Sequence, residues 1–386
     1  MKKYRKLLPL LERYLMKPEK KIVFLWGPRQ TGKSTILNLL RAKFGGAYFN
    51  FENQLDRNIW VPNLQDLKLM LEARSKSKYV FIDEVQNNPE ATVAIKLLTD
   101  MTDYVVFATG SSELRAKTQK FDSLAGRYRE YILFSLTIDE FAYFKTDEKN
   151  IIPKVTHAHK IYFSSFLTEY ITYGGYPGIV LSDNKEEDLK SLVRDSVIKD
   201  IVNIYDLKNT DLIHNLLRLL ATQIGNLINV SEISISLGIS RPTVLNYLSI
   251  LEKNRIIYLL PPFRTNTRRG YLDRKKVYFY DIGIRNAVIE DFRPWELRSD
   301  LGASFENVAV MGVVRQSEYQ KNNNKFFFFR EIAGAQKEVD LIIETPAGER
   351  RALEIKYKGG AITKFDDLGI LKFDLVTQEN VFEYLI

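Results

Sequence analysis

Hydrophobic positions in the first third of the chain fall in unbroken runs rather than in alternation. Ile22–Trp26, Tyr79–Ile82 and Tyr104–Ala108 are apolar throughout, and Ala47–Phe51 nearly so. These runs predict strands over Ile22–Trp26, Ala47–Phe51, Lys78–Glu84 and Tyr104–Ser112. A fifth strand is predicted over Tyr131–Phe134, after a loop from Ala125 to Glu130. Between them, Ser34–Leu40, Asn63–Ser75 and Pro89–Met101 read as helices. Strands apolar on both faces, alternating with helices, predict a parallel sheet covered on each side.

The pattern then changes. Residues 155–207 read as helical, broken at Tyr173-Gly174-Gly175-Tyr176-Pro177-Gly178, a stretch whose turn chemistry alone accounts for the break. Leu212–Ile224 is amphipathic, with Leu216, Leu217, Leu219 and Leu220 inward. Ser231 is the expected cap of Glu232–Leu237. Gly238-Ile239-Ser240 makes a tight turn, and Ser240 caps a helix with Pro242 early in it and Val244, Leu245, Leu248 and Leu251 on one face. This is a helix-turn-helix, and strands at Arg255–Leu260 and Lys276–Tyr280 extend it to a winged helix. The last segment predicts a helix over Leu301–Val314 and strands over Lys325–Phe329, Glu338–Ile343 and Arg351–Lys356.

Candidate chemistry starts at Gly27-Pro28-Arg29-Gln30-Thr31-Gly32-Lys33-Ser34-Thr35, which has phosphate-loop spacing between a strand and a helix. The two glycines allow close backbone approach, and the amides and helix N-terminus cradle phosphate. Lys33 reaches the outer phosphates of ATP, and the Ser34 hydroxyl is a ligand for Mg²⁺. Asp83 and Glu84 end an apolar strand. The first is placed to hold the magnesium ion and the second to polarise the attacking water. Thr109 and Ser111 lie at the tip of the next strand, where a polar group can sense the γ-phosphate. Arg127 and Arg129 are candidate arginine fingers, acting in cis or across a subunit interface. His157 and His159 have no acid at ligand spacing and read as surface residues.

From Arg264 to Lys276 there are six bases (Arg264, Arg268, Arg269, Arg274, Lys275 and Lys276) and one acid, Asp273. A basic wing beside a recognition helix that begins at Arg241 fits phosphate contacts on DNA. A solvated loop on a protein-contact module is the alternative. In the last segment Glu354 and Lys356 share one strand face, Asp340 on a neighbouring strand can meet them, and Glu306 sits on the preceding helix. Asp340 and Glu354 could bind magnesium while Lys356 orients water or steadies phosphate.

Size and composition narrow these readings only slightly. A chain of 386 residues has room for two or three domains. A net charge of +8 permits an acidic partner such as nucleic acid. The absence of cysteine excludes disulfides, thiolate zinc sites and a cysteine nucleophile. The basic, amphipathic N-terminus has too short an apolar run for a signal peptide or membrane span, and no long apolar segment occurs elsewhere, which points to the cytoplasm.

The stretches GPRQTGKST, YVFIDEVQ, ATGSSELR and LAGRYREYILFSLTIDEF resemble the ATPase core of a large AAA+-type family whose members carry a C-terminal DUF4143 domain. LGISRPTVLNYLSILEKNRIIYLLPPF and KVYFYDIGIRNAV resemble its middle winged helix and the entry to its last domain. SFENV, EVDLII and LEIKYK resemble that last domain, which is similar to PD-(D/E)xK nucleases. Two departures bear on the lid: Ser135, in the pattern around Leu133 to Glu140, where the family usually has proline, and Lys199-Asp200 where it usually has arginine before the aspartate. The resemblance implies an ATPase core at 1–145, a helical lid at 146–207, a winged helix at 208–282 and a nuclease-like domain at 283–386. Three functions are in view. One is a magnesium-dependent ATPase acting on DNA as a homo-oligomer, with branched DNA such as a Holliday junction as candidate substrate. The others are a signalling NTPase switch with protein partners and an ATP-gated, metal-dependent DNA nuclease.

Overall fold

The structure is a computed structural model that describes residues 4–60, 63–111, 124, 126–146, 157–198, 201–202, 210–263, 275–294, 297–331, 338–360, 362, 365 and 368–385, with backbone only over 157–162. It divides into two compact units, Tyr4–Phe134 and, apart from the first three residues, Ser135–Ile386.

The N-terminal unit opens with helix α1 (Leu7–Met16), which buries Leu7, Leu11 and Leu15 along one stripe. Strands β1 (Ile22–Gly27), β2 (Ala47–Asn50), β3 (Tyr79–Asp83), β4 (Val105–Ser111) and β5 (Tyr128–Ile132) form one sheet in the order β2-β3-β4-β1-β5. Every pairing in it is parallel. Helices α2 (Lys33–Phe44), α3 (Gln54–Ile59), α4 (Leu64–Arg74) and α5 (Ala91–Met101) make the crossovers, and α3 had no clear signature in the sequence. β1 and β4 are buried at every position, as their unbroken apolar runs require. β5 corrects the expected boundary: it begins at Tyr128, inside the stretch read as loop, and Leu133-Phe134 lie beyond it. Among the described residues it pairs only with β1, so its polar residues Arg129 and Glu130 sit half-buried on an edge strand, which tolerates charge.

The second unit begins with helix α6 (Ile138–Thr146), then α7 (His157–Tyr173), the single turn α8 (Pro177–Val180) and α9 (Lys185–Leu192), which runs on as a π-helical turn to Ile198. Helices α10 (Thr210–Thr222), α11 (Val230–Leu237) and α12 (Arg241–Lys253) follow, and then the antiparallel pair β6 (Ile257–Leu260) and β7 (Lys276–Phe279). Asn229, not Ser231, caps α11, accepting hydrogen bonds from Ser231 N and Glu232 N, because the helix starts two residues earlier, at Val230. Ser240 caps α12 through Thr243 N. On α12 the buried stripe is Val244, Tyr247, Leu248 and Leu251, while Leu245 faces out at 53% exposure. Helix α13 (Ile282–Val288) and the long α14 (Leu301–Gln320) lead to a second sheet. Its strands are β8 (Lys325–Arg330), β9 (Glu338–Glu344), β10 (Arg350–Ile355) and β11 (Lys372–Val376), in the order β11-β10-β9-β8, and α15 (Phe382–Leu385) closes the chain.

Two joints knit this unit together across long stretches of sequence. At the first, the Gly174-Gly175 turn packs directly on α13. Asp281, the cap of α13, also accepts a hydrogen bond from Gly175 N at 2.9 Å, and Asn286 caps the end of α7 through the carbonyls of Ile171 and Thr172. At the second, the β6 end of the hairpin runs alongside β8, with Phe263 N donating to Phe328 O and Phe328 N to Pro261 O. Ser135 has its own place here: its hydroxyl accepts from the buried Arg315 guanidinium, which also donates to Tyr170 Oη. Among the described residues, no helix is long and apolar enough to cross a membrane.

Candidate active site

All five strands of the first sheet point the same way, so their C-terminal ends share one edge, and a parallel α/β sheet binds ligands beyond that edge. Gly27 ends β1 in register with Ser111 at the end of β4, and Asp83 ends β3 in register with Asn50. β4 lies between the strand that launches the phosphate loop and the strand that carries the acids. A side chain at its tip is therefore flanked by both.

In the loop, Gln30 and Gly32 both take left-handed backbone angles, φ 61 and 96, which curl the chain before α2 begins. A side chain at Gly27 would stand 2.3 Å from the carbonyl oxygen of Leu133, so only glycine fits. Lys33 is buried, and its Nζ crosses the loop to the carbonyls of Gly27 at 3.0 Å and Pro28 at 2.9 Å. Thr31 Oγ1 donates back to Pro28 O. Ser34 and Thr35 are exposed at the helix N-terminus, and Arg29 is likewise exposed. Sequence reasoning missed Arg5. It is buried and donates to Thr31 O at 2.6 Å and Phe134 O at 2.7 Å, so it straps the loop to the chain leaving β5. No local pattern marks such a residue, since its acceptors are backbone carbonyls far along the chain. Arg5→Met leaves those carbonyls without their donor, at a cost of about 1–3 kcal/mol. The expected result is a roughly tenfold weaker nucleotide affinity by titration with a fluorescent ATP analogue. Unchanged affinity would show that Arg5 does not shape the loop.

Asp83 is buried, accepts a hydrogen bond from Thr109 Oγ1, and has Tyr48 Oη at 3.5 Å. Burial, then the Asp83 charge, push the Tyr48 phenol up to about 12, so it stays a donor toward the carboxylate. Glu84 takes the left-handed conformation, φ 55, uncommon for a residue with a side chain and a mark of a position held for function. Gln86 donates to Glu84 through Nε2 and accepts from Ser111 N through Oε1, linking the acid to the tip of β4. Thr109 is occupied by Asp83, whereas Ser111 Oγ is buried with no hydrogen-bond partner. An orphaned buried hydroxyl at this edge fits a phosphate oxygen as its missing partner. The donor set thus suits a nucleotide with Mg²⁺: Ser34 and Asp83 would hold the ion, which would neutralise developing phosphate charge, while Lys33 and Ser111 would meet phosphate and Glu84 would polarise the attacking water.

Arg127 and Arg129 lie elsewhere. Ile22 pairs with Tyr128 and Val23 with Arg129 at the N-terminal end of β1, about 17 Å from its far end at five residues of about 3.3 Å rise. Arg127 pairs with Asp100 and Arg129 forks onto Glu19. Within one chain neither reaches the phosphate loop, which removes the cis finger.

The second unit gathers another set of ionisable groups. Leu341 and Leu353 are paired across β9 and β10, so Asp340 and Glu354 fall opposite each other. Lys356 follows the end of β10 with its Nζ 2.9 Å from Glu354 Oε1 and 3.6 Å from Asp340 Oδ2. Asp340 Oδ2 also accepts from Ile355 N at 2.7 Å. Glu306, on α14, accepts from Tyr278 Oη at 2.6 Å and Lys276 Nζ at 3.1 Å. Lys276 corrects the sequence reading. Instead of joining the basic wing it is 3% exposed and turns inward, 2.5 Å from Glu338 Oε1 and 3.8 Å from Asp340 Oδ1. Burial opposes its charge, but Glu306, Asp340 and Glu338 hold its pKa above the ordinary value. Burial, and then Asp340, push Glu354 up, and burial pushes Glu306 up. Glu354 Oε2 is buried without a hydrogen-bond partner. Among the described residues, and with the side chains as they stand, no group of three or more histidines, aspartates and glutamates is arranged to hold a metal ion.

Of the expected DNA contacts, Arg241 is exposed at the start of α12 and Lys275 is half-buried before β7. Arg264, Arg268, Arg269 and Arg274 lie outside the described residues, as do Ser112 and Lys199-Asp200, and the side chains of His157 and His159 are likewise not described.

An uncharacterized protein of Methanocaldococcus jannaschii is 27% identical over 334 residues, 84% of this chain and 72% of its own. One of Haemophilus influenzae is 29% identical over 285 residues, 68% of each chain. Among solved structures, a Walker-type ATPase of Pyrococcus abyssi gives a TM-score of 0.49 at 14% identity, covering 73% of this chain and 94% of its own. The Holliday junction branch migration motor of Thermotoga maritima gives 0.33 at 18% identity, covering 70% and 90%. Sheet order, phosphate loop and paired acids define a P-loop ATPase, an ATP-hydrolysing enzyme. Family profiles match an AAA domain over residues 19–142, a domain of unknown function, DUF8612, over 165–294, and a second, DUF4143, over 301–380. These matches support an AAA-type ATPase that carries a C-terminal DUF4143 domain.

Proposed function

We propose that this ATPase is magnesium-dependent, works in the cytoplasm as a homo-oligomer, and acts on DNA. In this reading residues 146–207 are a lid, 208–282 a winged helix and 283–386 a nuclease-like domain that binds or assembles. The observation that carries the DNA assignment is the first turn of α12. Arg241 and Pro242 are exposed there, Leu245 and Asn246 face out one turn later, and the neighbouring β6–β7 connection holds four arginines against one acid between positions 264 and 274. A helix N-terminus presents amides and a partial positive charge to phosphate, and clustered arginine adds sequence-independent affinity. Branched DNA is the proposed preferred substrate. Arg127 and Arg129, far from their own phosphate loop, are the residues offered to a neighbouring copy in the oligomer.

The test is a binding titration on linear duplex, single-stranded and four-way DNA at several salt concentrations. Changing Arg268 and Arg269 to Ala is expected to weaken binding to all sequences alike and to flatten the salt slope by about one unit per lost contact. An unchanged slope and affinity would remove the wing as the DNA contact. Salt-insensitive or absent DNA binding by the wild type would favour the protein-partner switch instead.

A further inference from the structure

The carboxylates in the second unit come from three separate elements. Glu306 sits on α14, Glu338 and Asp340 on β9, and Glu354 on β10. Like charges brought together repel unless a cation stands among them. Lys276 supplies one from outside the sheet that bears three of them. It opens β7, the second strand of the hairpin, and its Nζ lies 3.1 Å from Glu306, 2.5 Å from Glu338 and 3.8 Å from Asp340. Its side chain is 4% exposed and those of Asp340 and Glu306 are 7% and 16% exposed, while Glu338, at 28%, also lies 3.8 Å from Arg330 Nε. The backbone fixes its direction: Lys276 pairs with Leu260 on one side and bridges Leu227 on the other, and Gly225 N and Ile228 N bond to the carbonyls of Val277 and Lys275 on either side of it. A second cation, Lys356, serves only the Asp340–Glu354 side and is 45% exposed. One oxygen, Oε2 of the 8% exposed Glu354, is left buried with no partner on the same face.

We propose that Lys276 is the built-in cation of this acid cluster: its ammonium occupies the position a divalent ion would take among Glu306, Glu338 and Asp340, and removal of that charge exposes a latent divalent-cation site. Asp340 and the orphaned Glu354 oxygen complete the ligand set once the ammonium is gone, since carboxylate oxygens at short range are the donors that Mg²⁺ and Mn²⁺ prefer. The arrangement makes the C-terminal domain independent of metal while Lys276 is in place. It also fastens the hairpin, whose connection carries the arginines, to the C-terminal sheet. The inference rests on the cluster's geometry alone and stands or falls separately from DNA binding.

The experiment uses the full chain with Lys33→Ala and Asp83→Asn in every protein, so that the nucleotide site contributes no metal signal. Calorimetric titration with Mn²⁺ is done on this background alone and with Lys276→Ala, Lys276→Arg and Lys276→Ala/Asp340→Asn added. Melting temperatures are recorded with and without 1 mM Mn²⁺, a concentration about 100 times a Kd of ~10 µM. The expected result is no Asp340-dependent heat in the background protein or in Lys276→Arg. Lys276→Ala should bind Mn²⁺ and melt roughly 5–10 °C higher with it, and the added Asp340→Asn should abolish both effects. Asp340-dependent Mn²⁺ binding by the background protein would overturn the proposal, as would a folded Lys276→Ala that ignores the metal. If Lys276→Ala does not fold, Mn²⁺ during refolding should recover it. Failure of that rescue, alongside recovery by Glu306→Gln in the same chain, would make the lysine a pairing partner only and reject the latent site.

Discussion

Glu84→Gln is expected to bind ATP and hold it, with turnover lowered by about 10²- to 10⁴-fold, the range a positioned general base supplies. The left-handed turn at Glu84 directs its side chain off the end of β3, and Gln86 fixes one carboxylate oxygen while reaching across to Ser111 N. An amide in place of that carboxylate keeps the shape and the hydrogen bond but cannot polarise water. Lys33→Ala should act earlier, at binding, because it removes the ammonium that spans the loop between Gly27 O and Pro28 O. Single-turnover assays with a filter-binding measurement separate the two effects. Turnover at the wild-type rate in Glu84→Gln would reject Glu84 as the water-polarising residue and shift attention to Asp83 and Gln86.

The largest effect on folding is expected from Gly174→Ala. Gly174 has φ +72, and a Cβ there would lie 2.0 Å from Asp281 Oδ1 and close to Gly283 N. The facing residue is equally tight, since a Cβ at Gly283 would stand 2.1 Å from Tyr173 O. Asp281 cannot retreat without giving up its hydrogen bonds from Gly175, Gly283 and Ile284. Overpacking together with an unfavourable φ costs about 3 kcal/mol, which lowers the melting temperature by roughly 10 °C. Gly178→Ala is the control: nothing lies within 4 Å of its added carbon and its φ is ordinary. Thermal melts within ~2 °C of wild type for Gly174→Ala would mean that this joint opens without cost.

The nucleotide site was legible because its parts are local. A phosphate loop is nine contiguous residues between an apolar strand and a helix, and the acids end another apolar run, so composition and spacing carry the whole pattern. The pairing of Asp340 with Glu354 and Lys356 was legible for a similar reason, since strand alternation needs only the correct register. Features that depend on what lies opposite were not. Tyr128 to Glu130 looked like loop because their charges are tolerable only on a strand with one neighbour. Leu245 looked inward because helical spacing alone does not say which side of α12 meets α11. The Gly174-Gly175 turn looked like plain loop because its partner, Asp281, is more than a hundred residues away.

The sequence by itself determined the class of this protein: a parallel sheet with a phosphate loop, an acid pair and a separate C-terminal α/β segment. Short-range patterns specify these, and their geometry follows from backbone sterics within a few residues. Only the tertiary structure decided which charges meet. Lys275 and Lys276 are adjacent and chemically alike, but strand pairing with Leu260 and the bridge to Leu227 send Lys276 into the acids of α14 and β9. Arg127 and Arg129 are likewise held at the edge of the sheet away from the phosphates by their place along β5, and Arg5 is drawn to the loop by carbonyls as distant as Phe134. Burial converts such encounters into strong constraints, because a charge removed from water must find its partner wherever the fold has placed it.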